Sequence, residues 1–196
     1  MPDLPTRLRV GFHWRGGPDV AYADITEWWR DPVVLRDLPP ALAALFEPAP
    51  TVVLGPASRG TLIGALVAAH LGVGLVEVRK NDRVAAHSPF HIGRDLPRQM
   101  TLSFRRALVR PHDRVLCVDD WVESGAQALA IRDMVEEIGA EWLGLACVVD
   151  DLQDRDDVRR RLDARALLSA EGLVDTEVMT AAEAMLDAEV APRTDG

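Results

Sequence analysis

The chain has 196 residues, a formal net charge of −9 and 48% hydrophobic residues, a composition typical of an ordinary globular protein. Its 31 acidic residues outnumber the 22 basic ones, which argues against a general binder of the nucleic-acid phosphate backbone. Cys117 and Cys147 stand in separate apolar runs without a C-x-x-C spacing, which argues against a disulfide framework or a zinc site and predicts buried thiols.

The first 50 residues precede the part of the chain with the clearest periodicity. Residues 1–10 lack the apolar stretch of a signal peptide, and no apolar run reaches the roughly 20 residues that span a bilayer. We therefore expect a cytoplasmic protein with neither a membrane nor a nucleic-acid partner. Residues 31–46 have helical spacing, and Pro39 and Pro40 are expected to break or kink that helix.

The central part alternates predicted strands and helices. Strands are predicted at residues 51–54, 74–78, 114–118 and 142–149, each a short apolar run. Helical spacing follows the first run over residues 60–71 and the third run up to Gly139, with Ser124 at the N-cap position. This order predicts an α/β fold with a mainly parallel twisted sheet flanked by helices.

The remaining segments are predicted to be loops and tails. Residues 81–98 show no sustained period, and a loop of that length is usually a lid or a disordered segment. The Asp-rich residues 150–157 are interpreted as a solvated turn that enters a helix. We expect one domain over residues 1–196, with an N-terminal hood (1–50), a core (51–170), a flexible lid loop (81–98), and a C-terminal helix and tail (171–196).

Ligands of open parallel sheets bind beyond the carboxyl ends of the strands, so the turns after the strands matter most. Residues 55–60 (GPASRG) lead into a helix N-terminus that favours an anion, although a plain tight turn would need the same residue types. Asp119 and Asp120 end a buried strand, and a short Ser-Gly loop opens the next helix. Paired carboxylates can bind a ribose diol, and free amides can bind a phosphate. The alternative interpretation, an acidic strand end before an ordinary N-cap, accounts for Ser124 but not for two adjacent Asp residues on an apolar strand.

These segments resemble a known enzyme family in a consistent order over residues 20–162. The hydrophobic run with Asp119 and Asp120 and its small-residue loop is similar to the phosphoribosyl pyrophosphate motif of type I phosphoribosyltransferases. Residues 22–26 (YADIT), 58–60 (SRG) and 79–80 (RK) resemble segments of the adenine phosphoribosyltransferase branch. The resemblance implies the fold of that family, with a small hood and a lid.

The resemblance also implies residue roles. Asp119 and Asp120 would bind the ribose hydroxyls and stabilise positive charge on the sugar, with Lys80 and Arg59 as further catalytic residues. The 5-phosphate would be bound by Val122, Glu123, Ser124, Gly125, Ala126 and Gln127. Pyrophosphate would be bound by Ser58, Arg59, Gly60, Arg79 and Lys80, where the family often has a non-proline cis peptide. The base would be bound by Ala21, Ala23 and Arg59, and Mg²⁺ would arrive with the donor.

Several positions depart from the family pattern. Leu96 and Pro97 stand where adenine enzymes carry Glu-Tyr, so Asp95 and His91 become candidates for proton transfer from the lid. Glu123 is expected to point outward, because an inward carboxylate would repel phosphate. Ala126 is a problem only if its position needs a positive φ.

Two residue types also stand out by their rarity. Lys80 is the only lysine of the chain, and a compact ammonium is not interchangeable with a guanidinium at a phosphate site. Tryptophan side chains can pack in the core or in a subunit interface, or can stack on a base. We favour the packing role for Trp28 and Trp29, and both roles stay open for Trp121.

We therefore expect a phosphoribosyltransferase of nucleotide salvage that forms a homodimer. It would transfer ribose 5-phosphate from phosphoribosyl pyrophosphate to a purine-like base, adenine first, and release pyrophosphate. Hypoxanthine, guanine or a non-purine ring are other acceptors. The alternative from a different class is a non-catalytic regulatory protein that senses phosphoribosyl pyrophosphate or a nucleotide.

Overall fold

The structure is a computed structural model that describes residues 2–15, 22–82, 88–97 and 100–173. Its internal contacts group the chain into two compact units, one of Met1–Leu38 with Leu168–Gly196 and one of Pro39–Leu167. Within the described ranges, no helix is long and apolar enough to cross a membrane. The expected single domain and the helix predicted near the C-terminus stay predictions, the latter because residues 174–196 lie outside the described residues.

The smaller unit begins with helix α1 (Leu4–Val10), whose N-cap Asp3 accepts a hydrogen bond from the Thr6 amide at 2.9 Å. Strands β1 (His13–Arg15) and β2 (Tyr22–Asp24) form an antiparallel pair. Trp28 is fully buried and its indole nitrogen donates to the Leu8 carbonyl at 2.8 Å, so the predicted core role of Trp28 is confirmed.

Helix α2 (Pro32–Ala43) runs without a break through Pro39 and Pro40, so the predicted break is wrong, whereas the alternative of a kink stays a prediction. A proline lacks the amide hydrogen that the preceding turn would accept, but its carbonyl still accepts from the following turn. The Ala44 amide bonds to the Pro40 carbonyl at 3.0 Å. Leu38 and Leu42 are fully buried, and burial of this apolar face offsets the two lost hydrogen bonds.

Seven strands form the central sheet: β3 (Val52–Pro56), β4 (Gly74–Lys80), β5 (His91–Leu96), β6 (Met100–Arg105), β7 (Arg114–Val122), β8 (Glu141–Asp150) and β9 (Ala164–Ser169). They lie in the order β5-β6-β4-β3-β7-β8-β9. The pairs β3–β4, β3–β7 and β7–β8 are parallel. The predicted mainly parallel sheet is confirmed, and β3 is buried along its whole length, as a central strand covered on both faces should be.

Three further helices belong to the sheet: α3 (Arg59–Leu71), α4 (Ala126–Ile138) and α5 (Asp156–Leu162). Gly72 and Gly139 end α3 and α4 in the left-handed conformation, with φ of 69° and 86°, which confirms the predicted stop at Gly139. The predicted N-cap of α4 was one residue early. Gly125 occupies the cap position, and the Ser124 hydroxyl accepts from the Ala126 amide at 3.4 Å.

The segment predicted as a lid loop over residues 81–98 is in part a strand, which corrects the prediction. β5 pairs antiparallel with β6, and β6 pairs antiparallel with β4. Ile92 and Phe104 are partners in this ladder and both are buried, so cross-strand packing stabilises the hairpin. Pro97 lies in the turn after β5, where the missing amide hydrogen breaks no ladder bond.

Candidate active site

Two neighbouring parallel strands bring the predicted site residues to one edge of the sheet. Leu54 of β3 is paired with Cys117 of β7, so the turn after β3 lies beside the second half of β7. Asp119 and Asp120 lie within β7 and not beyond its end, because the strand continues to Val122. The cysteines Cys117 and Cys147 are free and buried, as predicted, and burial raises the pKa of both thiols.

The two carboxylates lie on opposite faces of β7, because successive side chains of a strand alternate. Asp120 is buried and Asp119 is half-buried. The Asp120 amide donates to Asp119 Oδ1 at 2.9 Å. Burial of the Asp119 carboxyl group, and then the negative charge of Asp120, raise the pKa of Asp119 well above its usual range, while the positive charge of Lys80 lowers it.

The turn between β3 and α3 approaches β7 closely, and Gly60 makes that approach possible. A Cβ atom on Gly60 would lie 2.6 Å from Asp119 Oδ1 and 2.8 Å from Pro56 Cδ. Gly55 is restricted in the same way, since a Cβ there would lie 2.6 Å from the Gly60 carbonyl oxygen. The peptide bond between Ala57 and Ser58 is cis, as the family resemblance implied.

A guanidinium connects this turn to the carboxylate pair. Arg59 opens α3, and its Nε lies 3.0 Å from Asp120 Oδ2. The Arg59 side chain is 43% exposed, whereas the side chain of Asp120 is 8% exposed. Two segments that are 60 residues apart in the sequence therefore form one site.

Lys80 and Arg79 are adjacent in β4 and so point to opposite faces of the sheet. Lys80 is half-buried and close enough to influence Asp119. Arg79 is exposed and forms ion pairs with Glu77 at 3.5 Å and with Asp82 at 2.9 Å. The structure thus brings Lys80 to the carboxylates and places Arg79 among acidic side chains on the other face.

The loop from β7 into α4 has the form of an anion site. Gly125 has a φ of 71°, and a Cβ there would lie 2.5 Å from Val158 Cγ1, so the loop packs directly on α5. Ala126 begins α4 and is not among the residues with positive φ, so the alanine causes no strain. Val122 is buried, and Glu123 and Ser124 are exposed. The first amides of α4 have no partner within the helix and point toward this loop.

Comparison with known proteins identifies this arrangement. The family model described as "Phosphoribosyl transferase domain" matches residues 42–172. The chain belongs to the phosphoribosyltransferase family. The adenine phosphoribosyltransferase of Clostridium perfringens (strain SM101) is 33% identical over 145 residues, which cover 70% of this chain and 81% of that protein.

Solved structures of the family share the fold. The adenine phosphoribosyltransferase of Rhodothermus marinus is 30% identical, with a TM-score of 0.72 over 85% of this chain and 97% of that one. The Trypanosoma brucei enzyme, determined in complex with AMP, pyrophosphate and ribose-5-phosphate, has a TM-score of 0.75 at 20% identity, over 89% and 83% of the two chains.

The predicted proton-transfer residues of this phosphoribosyltransferase are not brought to the carboxylates. His91 and Asp95 belong to β5, which lies four strand positions from β7, or about 19 Å at the usual strand spacing. Asp95 accepts a hydrogen bond from the Thr101 hydroxyl at 2.7 Å. Ala23 lies half-buried in β2 of the smaller unit, and Ala21 lies outside the described residues.

The Asp-rich residues 150–157, interpreted from sequence as a solvated turn, make contacts with the end of β7 and the loop after it that were not predicted from the sequence. Asp151 accepts from the Trp121 indole nitrogen at 3.3 Å, and its amide donates to the Val122 carbonyl at 2.8 Å. Arg155 donates to the Glu123 carbonyl at 3.4 Å. A signal was present, since these residues follow β8, whose carboxyl end lies beside that of β7.

Proposed function

We propose that this phosphoribosyltransferase transfers ribose 5-phosphate from phosphoribosyl pyrophosphate to a purine-like base, with adenine as the first acceptor, and releases pyrophosphate. One observation carries the proposal: the approach of Gly60 to Asp119, which joins the anion turn after β3 to the carboxylates of β7. The donor carries a 5-phosphate and a 1-pyrophosphate on either side of a ribose diol, and this edge of the sheet offers a matching group for each of them.

The carboxyl pair suits a diol because its members differ in environment. The raised pKa of Asp119 favours a proton on that carboxyl group, which can then donate a hydrogen bond as well as accept one. As pyrophosphate departs, positive charge develops at the anomeric carbon. The negative charge of the buried Asp120 carboxylate then stabilises the sugar more strongly in the transition state than in the bound donor.

The cations of the site suit the leaving group. Arg59 begins α3 beside Asp120, and Lys80 acts on Asp119 from β4. Both charges lie on the β3–β4 side of the carboxylates, where the turn of residues 55–60 also lies. Pyrophosphate on that side would meet two positive charges and the first amides of α3, whereas Arg79, on the opposite face, would contribute less.

The donor set also fits Mg²⁺ that arrives with the donor. Within the described residues, no three His, Cys, Asp or Glu side chains cluster as a metal cage. Asp119 and Asp120 supply carboxylate oxygens, and Mg²⁺ in proteins is commonly held by one or two carboxylates together with substrate phosphates and water. When bound, the ion neutralises charge on the pyrophosphate.

The relatives favour an enzyme over the sensor alternative. The Clostridium perfringens and Rhodothermus marinus proteins both carry the name adenine phosphoribosyltransferase. No feature of the described residues supports a purely regulatory role. The missing lid carboxylate at Leu96 leaves the acceptor to be determined, with hypoxanthine, guanine and a non-purine ring as the other candidates. The homodimer and the cytoplasmic location stay predictions.

Isothermal titration of phosphoribosyl pyrophosphate with Mg²⁺, followed by a pyrophosphate-release assay, tests the proposal. We expect donor binding, and release only after adenine, guanine, hypoxanthine or xanthine is added. Release with one base identifies the acceptor. Donor binding without release for every base would favour the sensor, and no donor binding would refute both interpretations.

A further inference from the structure

One carboxylate connects the two segments that pack against the phosphate loop (residues 123–125, between β7 and α4). Asp150 ends β8 beside Val122, its partner in the parallel ladder. Its Oδ1 accepts from the Leu152 amide at 2.8 Å, which fixes the turn that leaves β8. Arg159 of α5 donates to the same carboxylate twice, from Nε to Oδ2 at 2.7 Å and from Nη2 to Oδ1 at 3.3 Å. Such a two-point contact gives an Arg–carboxylate pair a defined orientation.

The surroundings of this ion pair distinguish it from an ordinary surface pair. The Arg159 side chain is 33% exposed and that of Asp150 is 17% exposed, whereas Arg36 and Asp37 pair at 69% and 39%. Exposed pairs contribute little because water and salt screen them, and a two-point geometry with less exposure contributes more. The Arg159 guanidinium also donates to Asp156. It therefore links the first turn of α5 to the end of β8.

Apolar side chains of the same two segments support Gly125, the residue of the phosphate loop with a positive φ. A Cβ on Gly125 would lie 2.5 Å from Val158 Cγ1, 3.3 Å from Leu162 Cδ1 and 3.4 Å from Leu152 Cδ2. Leu152 and Leu162 are fully buried. Val158 and Leu162 belong to α5, and Leu152 belongs to the turn that Asp150 holds. A shift of either segment must therefore shift the loop backbone, because close-packed groups transmit displacement.

We propose that Asp150 and Arg159 are positioning residues for the 5-phosphate of the donor, since their ion pair holds the two segments that set the backbone of the phosphate loop. This inference rests on the proposed function. Neither side chain needs to touch the ligand, because backbone amides of the loop and of the first turn of α4 bind an anion. The pyrophosphate turn of residues 55–60 follows β3, on the other side of β7 from β8. The pair should therefore control affinity for the 5-phosphate and not for pyrophosphate.

Three variants separate the ion pair from the other contacts of its members. Asp150→Asn keeps an oxygen for the Leu152 amide but removes the charge that Arg159 binds. Arg159→Ala removes the guanidinium, and Arg159→Lys keeps a positive charge without the planar two-point geometry. Two matched controls change exposed residues of the same types. Asp154→Asn lies in the same turn, and Arg36→Ala removes the guanidinium of an exposed pair in α2.

Titration of the full chain with ribose 5-phosphate and, separately, with pyrophosphate and Mg²⁺ tests the proposal. We expect Asp150→Asn and Arg159→Ala to weaken ribose 5-phosphate binding roughly ten-fold, less than the roughly 100-fold that a displacement of about 1 Å costs in an active site. Arg159→Lys should lie between Arg159→Ala and wild type. Pyrophosphate binding should stay at the wild-type level in every variant, and both controls should bind both ligands normally.

Steady-state kinetics and a double-mutant cycle test whether the two residues act as one unit. The variants should raise KM for phosphoribosyl pyrophosphate and leave KM for the base unchanged. Asp150→Asn combined with Arg159→Ala should lose no more ribose 5-phosphate affinity than Arg159→Ala alone, because either change breaks the same pair. Losses that add in the double variant would overturn the shared positioning role.

Urea unfolding of each variant separates positioning from a purely structural role. Variants that lose unfolding free energy but bind ribose 5-phosphate like wild type when folded would overturn the inference and leave the proposed function intact. Equal weakening of ribose 5-phosphate and pyrophosphate binding would overturn it as well. Failure of the wild-type protein to bind either ligand would instead overturn the proposed function, and this inference with it.

Discussion

Replacement of Gly60 by alanine tests the packing that brings the two halves of the site together. The new Cβ would lie 2.6 Å from Asp119 Oδ1, whereas carbon and oxygen atoms in contact are normally about 3.3 Å apart. Either the carboxylate or the start of α3 must therefore move by about 0.7 Å. Since misplacement on the order of 1 Å in an active site costs about 100-fold in rate, we expect kcat/KM to fall about 100-fold.

Two other glycines serve as controls for this substitution. A Cβ on Gly64, in the same helix, would lie 3.1 Å from the flexible end of Leu75 and at an ordinary contact distance of 3.5 Å from Gly55 Cα and Val53 Cγ1. A Cβ on Gly74 would meet nothing within 4 Å. Gly64→Ala and Gly74→Ala should keep wild-type kcat/KM and change the free energy of unfolding by less than about 1 kcal/mol.

The assay is pyrophosphate release at varied donor concentration, with urea unfolding of each variant in parallel. Gly60→Ala should lose about 1–3 kcal/mol of unfolding free energy through overpacking and still be folded under assay conditions. A folded Gly60→Ala protein with wild-type kcat/KM would refute the claim that this close contact positions Asp119.

Three further predictions follow from charges and backbone geometry. Burial and the charge of Asp120 raise the pKa of Asp119, so Asp119 destabilises the folded protein as the pH rises above its ordinary pKa of 3.8, and has no such effect below that pH. In urea unfolding, the stability of Asp119→Asn relative to wild type should therefore increase with pH. A difference that does not depend on pH would contradict this. Lys80→Ala should lower kcat/KM at least about ten-fold more than Arg79→Ala, because only Lys80 acts on Asp119; equal losses would mean that both faces of β4 contribute. Gly125 has a φ of 71°, and a Cβ there would lie 2.5 Å from Val158 Cγ1. Gly125→Ala should therefore weaken ribose 5-phosphate binding in a titration and lose about 1–3 kcal/mol of stability. Gly139→Ala should bind normally, because its Cβ would meet nothing closer than 3.7 Å.

The central strands could be predicted from the sequence because each is a continuous apolar run. β3, β7 and β8 are buried on both faces, and their composition reflects this without knowledge of their partners. β5 could not be predicted in this way. Its residues include Gly93 and charged side chains, and its strand conformation depends on pairing with β6, which a local pattern does not reveal.

The site was predictable to a similar degree. The meeting of Asp119 with the turn after β3 follows from the rule that ligands bind at the carboxyl ends of parallel strands. Side chains alternate along a strand, so the placement of Lys80 and Arg79 on opposite faces of β4 could also be predicted. The family resemblance had instead assigned both residues to the pyrophosphate. The bond between Trp121 and Asp151 was missed, although Asp151 follows β8 beside the end of β7, because a run of acidic residues on the surface is usually only solvated.

Formation of nucleoside 5′-monophosphate from phosphoribosyl pyrophosphate and adenine, by wild type and Asp120→Asn, tests the central claim most directly. Arg59 is 43% exposed and can turn to water when its buried partner loses its charge, so Asp120→Asn should unfold within about 1 kcal/mol of wild type. We predict nucleotide and pyrophosphate in equal amounts from wild type and from the control Asp154→Asn, and a loss of about 100-fold or more in Asp120→Asn. Equal turnover by folded Asp120→Asn, or no nucleotide from wild type with any base, would contradict the account.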